Sequence, residues 1–327
     1  MTPAKHHILI SRTDAIGDVV LTLPVAGYLK QLYPAAKISF LGKTYTGPVI
    51  RCCQSVNEFI NYDELLKLTP QEQAAFLKSK NIDAIVHVFP NKHVAALAKR
   101  TGIATRIGTT NRLYHWFTCN KLVRLSRKRS DMHEAQLNLA LLKPLGLKDV
   151  QPLPAIINKY NFNATVDLPP GLQDLMGVNK FNLILHPKSH GSGVEWGLDK
   201  FKALAAALPA DKFNIFITGS DKEKAVLHPW VKTLPHGVID TTGKMTLDEL
   251  IAFIGKADGL LASGTGPLHL AAASGINTLG LFPSARPIHP GRWAPLGERA
   301  GYLESGTDNL EAITVEMVAG KINSWRK

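Results

Sequence analysis

The sequence predicts an α/β protein built from two parallel-sheet domains, and three observations predict it. Short apolar strand candidates alternate with helix-period stretches in both halves, the pattern of βαβ units. Residues 151–171 interrupt that pattern with Pro152, Pro154, Pro169 and Pro170, which marks a linker and places the domains at 1–165 and 166–327. The length, 327 residues with 45% hydrophobic side chains, suits two domains of ordinary size, each with its own core.

Ile8-Leu9-Ile10 opens the first domain as a strand, and the turn Ser11-Arg12-Thr13-Asp14-Ala15-Ile16-Gly17-Asp18 follows. From Val19 the apolar residues Val20, Leu23, Ala26, Leu29 and Leu32 fall at helical spacing until Tyr33-Pro34 stops the helix. Residues 37–41 return as a strand. Further strands are predicted at 59–62 and 83–89, and helices at 70–80, 92–101 and 133–142. Asp18 has two compatible roles at this place. As an N-cap it accepts from free backbone N–H groups and suits the helix dipole. A carboxylate at the C-terminal edge of a parallel sheet also lies where α/β folds take up ligands, and there it serves as a general base toward a hydroxyl. The turn matches neither Gly-x-Gly-x-x-Gly nor the P-loop, which leaves a nicotinamide enzyme little support.

The second half repeats the pattern, with strands at 182–185, 214–218, 238–240, 259–262 and 278–282 and helices at 198–208 and 247–256. Thr246 and Glu249 form a capping box for the last of these. Four strands end in turns of small or charged residues. The first holds Lys188, Ser189, His190, Gly191, Ser192 and Gly193, the second Gly219-Ser220-Asp221, and the third Gly243-Lys244-Met245. The fourth is Ser263-Gly264-Thr265-Gly266-Pro267-Leu268-His269, with Thr265 as cap, Pro267 at the first helical position and Gly275 at the helix end. It reads either as a well-capped βα turn or as an anion site, where free N–H groups at a helix start take phosphate. Together the turns offer more than any one alone. Phosphate fits among 188–193 and 265–269, Asp221 accepts from ribose hydroxyls, and Met245 flanks a base. His269 stays open between a core or capping histidine and a catalytic one, while Trp196 packs between turn and helix.

The net charge of +12 points to anionic partners. Residues 91–130 carry Lys92, Lys99, Arg100, Arg106, Arg112, Lys121, Arg124, Arg127, Lys128 and Arg129 with no Asp or Glu, an anion-facing surface or a solvated basic face. Its aromatics form one clump, Tyr114 to Phe117, rather than an interleaved stacking series, which argues against nucleic acid. Three cysteines (Cys52, Cys53, Cys119) make no disulfide framework and no Cys-x-x-Cys pair, as expected of a cytoplasmic protein. The start runs straight into a strand, and no apolar run reaches the ~18 residues of a membrane span.

Arg12-x-x-x-Ile16-Gly17-Asp18-Val19-Val20-Leu21-Thr22-Leu23-Pro24 resembles the N-terminal signature of glycosyltransferase family 9, the heptosyltransferases of lipopolysaccharide synthesis. His186-Pro187, Trp196, Gly219-Ser220-Asp221, Gly243-Lys244-Met245-Thr246-Leu247 and Gly264-Thr265-Gly266-Pro267-Leu268-His269 agree in order and spacing. The resemblance implies a GT-B architecture of two Rossmann-like domains facing a cleft. The first domain takes the acceptor and the second a nucleotide sugar, typically ADP-heptose. By analogy the last helix, about residues 313–325, packs back on the first domain. The implied reaction inverts the anomeric centre without metal or cofactor, in keeping with the lack of an Asp-x-Asp pair.

Carried over by position, Asp18 is the base, Asp221 lies near the donor ribose, Met245 near adenine, and Thr265, Gly266 and His269 at the diphosphate. Arg12, Arg112, Arg124 and Arg127 are the expected acceptor contacts, with the basic segment facing an anionic glycolipid at the cytoplasmic face of the inner membrane. Two positions depart from the better-known heptosyltransferases. Gly264 stands where they have an acidic residue that contacts the sugar, and Val194 where they have a Lys. The readings to be distinguished from transfer are a non-catalytic module for nucleotide or anionic glycan, and a GT-B epimerase or phosphorylase.

Overall fold

The computed structural model describes residues 6–128, 130–189 and 191–326. It divides into two compact units, Met1–Asn163 and Ala164–Lys327, and the division falls inside the proline-rich stretch. The strands of the first unit are β1 (His7–Ser11), β2 (Lys37–Gly42), β3 (Glu58–Asn61), β4 (Ala84–His87), β5 (Thr105–Thr109) and β6 (Lys121–Val123). Those of the second are β7 (Phe181–His186), β8 (Phe213–Ile217), β9 (Ile239–Asp240), β10 (Gly259–Ser263), β11 (Asn277–Phe282) and β12 (Ala300–Glu304).

The first sheet has the order β3-β2-β1-β4-β5-β6 and the second β12-β11-β10-β7-β8-β9. Every named pairing is parallel. Read from its other edge, the second order is the first repeated. Each chain path starts at the centre, winds to one edge, then crosses back to build the other side. The reversal falls between β1 and β4 and between β7 and β10. In a parallel sheet it leaves a crevice past the C-terminal strand ends, the usual place for a ligand.

The central strands are continuous apolar runs because helices cover both sheet faces. Leu9, Leu41, Ile60 and Ile85 bury against Val94 and Leu97 in the first unit. In the second, Leu183, Leu185, Ile215, Ile217 and Leu261 bury against Phe201 and Leu204.

Two departures from the sequence reading have physical causes. The helix after β1 is two helices, Ile16–Val20 and Leu23–Leu32. Pro24 supplies no N–H and its ring would clash with the carbonyl four residues back, so the first helix stops short. Ala15 is its N-cap and Asp18 its third residue, which corrects the capping role read for Asp18. Strands β5, β6 and β12 and the helix Leu113–Thr118 escape prediction because their sequences (TRIGT, KLV, AGYLE, LYHWFT) show neither alternation nor an inward apolar stripe. The last helix, Val315–Ser324, buries Val318 and Ile322 in the second unit's core, and Trp325 stacks on Phe181 at 6.1 Å. These buried residues belong to the second unit's core. Among the described residues, no helix is long and apolar enough to cross a membrane.

Candidate active site

In the first unit the turn after β1 and the loop after β4 meet at the crevice, where Val88 N and Phe89 N both donate to Ser11 O at 3.1 Å. Arg12 is buried beneath this turn, with 3% of its side chain exposed. Its Nε donates to Asp14 Oδ1 at 2.8 Å, and its Nη1 to Glu134 Oε1 and Asn138 Oδ1, both at 3.1 Å. Its Nη2 donates to Asp14 Oδ2 at 3.0 Å and to Asp18. Glu134, fully buried on the helix Glu134–Ala140, also accepts from Arg127 Nε at 2.9 Å. Arg127 Nη2 donates to Asn138 Oδ1 at 2.9 Å and Val88 O at 3.1 Å. Asn138 donates on to Leu21 O and Thr22 Oγ1, and Thr22 Oγ1 to Asp18 O at 2.8 Å.

Among the described residues, three carboxylates thus share two guanidinium groups. Asp18 shows the consequence. Burial pushes its carboxyl up to about 6; Arg12 opposes the rise while Asp14 and Glu134 add to it. Burial also works against the charge on Arg12, but Asp18, Asp14 and Glu134 outweigh it and hold the guanidinium firmly protonated. The result is a crevice carboxylate that is ionised at neutral pH yet more basic than a free one, the property a general base needs.

Arg12 and Arg127, expected as acceptor contacts, have their guanidinium groups engaged in this network. Arg112 and Arg124 are exposed at the far edge of the same sheet, beside the helix Leu113–Thr118 and after β6. Glu134 and Asn138 went unread in the sequence. Their signal was two polar residues at i and i+4 on a helix whose other inward positions, Ala135, Leu137 and Leu139, are apolar.

In the second unit all four predicted turns lie on consecutive strands, β10-β7-β8-β9, along one sheet edge. The turns after β7 and β10 flank the reversal and touch. Ser192 Oγ donates to Gly264 O at 3.3 Å. A Cβ on Gly193 would lie 3.1 Å from Gly264 O and 3.3 Å from Gly264 N, so a side chain there would force the turns apart. Glu195 closes the first turn: it pairs with Lys188 and accepts from Ser189 N at 2.9 Å, while Ser189 Oγ donates to Gly193 O at 2.7 Å. The sequence reading missed Glu195, whose place beside Trp196 gave it no separate signal. His190 lies outside the described residues.

The helix Gly266–Ala273 begins at Thr265, whose backbone is extended but whose side chain makes no capping bond. Among the described residues, Thr265 Oγ1 and Ser263 Oγ are buried with no hydrogen-bond partner. An uncapped helix start over two buried hydroxyls retains free donors for an anion. His269 is buried at the fourth helical position. Beside β8, Asp221 is exposed and pairs with Lys224 at 2.6 Å, which holds its carboxyl below the usual range. Gly243 N donates to Gly219 O at 2.9 Å, folding the turn of half-buried Met245 onto the Asp221 turn. At the two departing positions, a Cβ on Gly264 would meet the Phe282 ring at 3.0 Å, and Val194 packs on the core.

Known proteins agree with this architecture. The model of glycosyltransferase family 9 (heptosyltransferase) matches residues 73–321, which hold Glu134, Asn138 and all four turns of the second unit. A Haemophilus influenzae protein whose name assigns it only to the glycosyltransferases is 26% identical over 346 residues, 98% of each chain. The lipopolysaccharide core heptosyltransferase OpsX of the same species is 23% identical over 322 residues, 95% of this chain and 87% of its own. The structure of E. coli ADP-heptose lps heptosyltransferase II has the same two-domain α/β fold, GT-B, with a TM-score of 0.78 at 17% identity, covering 98% of both chains. The chain belongs to glycosyltransferase family 9 and is a glycosyltransferase.

Proposed function

We propose that this glycosyltransferase inverts the anomeric centre, needs no metal, and moves heptose from ADP-heptose to an acidic lipopolysaccharide core or related glycan. The observation that carries the reading is Asp18, a crevice carboxylate poised near pH 6 by a buried network. Asp18 takes the proton of an acceptor hydroxyl. The hydroxyl oxygen forms a bond to the anomeric carbon as that carbon's bond to the diphosphate breaks on the opposite face. Arg12 holds Asp18 in place and in its ionised form.

The departing diphosphate gains negative charge, which donors fixed in advance stabilise best. In this reading the uncapped start of Gly266–Ala273, with Thr265, Gly266 and His269, meets the diphosphate. Lys188, Ser189, His190, Gly191 and Ser192 line its other side. Asp221 takes the ribose hydroxyls and Met245 lies against adenine. Gly264 brings no carboxylate to the sugar, and Lys188 or His190 supplies the cation that the better-known heptosyltransferases have at the position of Val194. Arg112 and Arg124 meet acceptor phosphates on the cytoplasmic side of the inner membrane. ADP-heptose is the donor named for E. coli heptosyltransferase II, and lipopolysaccharide core is the substrate in the name of OpsX.

Thermal stabilisation by nucleoside diphosphates tests the donor. At 100 times its Kd a ligand adds about 2.7 kcal/mol to stability. ADP and ADP-heptose should raise the melting midpoint above UDP and GDP at equal concentration. The reverse order would remove ADP-heptose, and ADP binding without turnover of any ADP-sugar would leave only a binding module.

A further inference from the structure

The helix Leu113–Thr118 is amphipathic in the wrong sense for a core element. Leu113, Trp116 and Phe117, at i, i+3 and i+4, form one stripe and are 77%, 58% and 67% exposed. Its inward side is His115, fully buried, with Nδ1 accepting from Thr109 N at 3.0 Å. Polar bonds fasten the helix and the residues just after it to the sheet edge. Trp116 Nε1 donates to Thr110 O at 3.0 Å, Arg106 Nε to Thr118 O at 2.7 Å, and Asn120 Nδ2 to Ala104 O at 2.7 Å.

The surroundings specify a partner. Arg112 stands at the helix start, Lys121 opens the edge strand just after the helix, and Arg124 follows that strand; all three are exposed, as is Lys128. No Asp or Glu occurs between residues 91 and 130. An apolar stripe with aromatic side chains flanked by exposed Arg112, Lys121 and Arg124 matches the interface of an anionic bilayer, where rings enter the headgroup boundary and Lys and Arg reach lipid phosphates. A second copy of the chain fits poorly, because a two-fold contact would set these cations against their own duplicates.

We propose that this stripe and its flanking cations dock the protein on an anionic phospholipid surface. The proposal rests on the exposed helix, and its meaning for function rests on the transfer reading: docking would hold the enzyme where a lipid-anchored acceptor lies.

Sedimentation of the full chain with vesicles tests it. Vesicles of phosphatidylethanolamine with phosphatidylglycerol should carry the protein down, and phosphatidylcholine alone should not. The double change Leu113→Ser, Phe117→Ser should lower partitioning about tenfold or more. Raising salt from about 0.1 M to about 1 M should also release the protein, as the screening length falls to about 3 Å. Because the stripe is exposed, the variant should keep its melting midpoint and its ADP-induced shift; loss of the ADP shift in both proteins would count against the transfer reading alone. The docking proposal is overturned if the variant sediments like the parent. It is also overturned if neutral vesicles bind equally well, or if the parent is a dimer that the variant converts to monomer.

Discussion

Past the C-terminal ends of β1 and β4 lie Arg12, Asp14, Asp18, Arg127 and Glu134, five charged side chains bound to one another. Past β7 and β10 lie Gly191, Gly193, Gly264 and Gly266, with the hydroxyls of Ser192, Ser263 and Thr265. The strand order behind the two sets is the same. One topology thus supports opposite chemistry, because the crevice belongs to the fold and its contents belong to the turns. A proton acceptor needs charge held at fixed spacing, and the first unit provides it through buried ion pairs. The second unit keeps one ion pair, Lys188–Glu195, and otherwise leaves side chains off its turns, which exposes backbone N–H groups of the kind an anion takes.

The contrast can be broken from either side. The largest effect should come from Glu134→Ala, which strands Arg12 and Arg127 beneath the turn. Breaking a buried ion pair from one side costs about 3–5 kcal/mol, readable by chemical denaturation. Glu134→Gln, which retains an acceptor, should cost less, and a negligible loss in both would show that the network carries no stability.

Asp18→Asn should reduce turnover roughly 100-fold or more while leaving ADP binding intact. The same change should stabilise the protein at neutral pH. Asp18 has a folded value near 6 against an ordinary 3.8, so the native state carries its charge at a cost above about pH 6. Below the ordinary value the carboxyl is neutral in both states and that cost is absent. The gain from Asp18→Asn should therefore grow between the two values and level off above the higher, reaching roughly 1–3 kcal/mol by linkage.

On the second side, Gly193→Val presses a branched side chain against the Gly264 backbone and should weaken ADP about tenfold or more, measured by calorimetry, since overpacking typically costs about 1–3 kcal/mol. Ser192→Ala removes a hydroxyl that reaches Ser189 O at 2.7 Å and Gly264 O at 3.3 Å, and should change ADP binding by less than about 1 kcal/mol.

Legibility followed locality. The second-unit site was readable because each turn is a contiguous run of small residues at a strand end, and the sheet then aligned all four. The first-unit site was readable only at Asp18. Its partners Glu134 and Asn138 lie more than 115 residues along the chain, joined to it by the 3.1 Å bonds of Arg12. No local pattern pairs an Arg in one turn with a Glu on a distant helix, so Arg12 read as a surface cation for the acceptor. The short polar strands β5 and β6 were invisible for a related reason: neighbouring strands, not their own residues, hold them in the sheet. The exposed stripe of Leu113–Thr118 was seen as a clump of aromatics, and only the fold shows that it faces outward.

The pH dependence of kcat/KM for transfer from ADP-heptose, measured on the parent and on Asp18→Asn, tests the central claim most directly. A base acts in its ionised form, so the parent's rate should fall as pH drops through about 6, the value to which burial raises Asp18. The variant should be slow throughout and lack that inflection. A parent profile with no inflection near 6, or a variant that keeps both the rate and the inflection, would contradict Asp18 as the base.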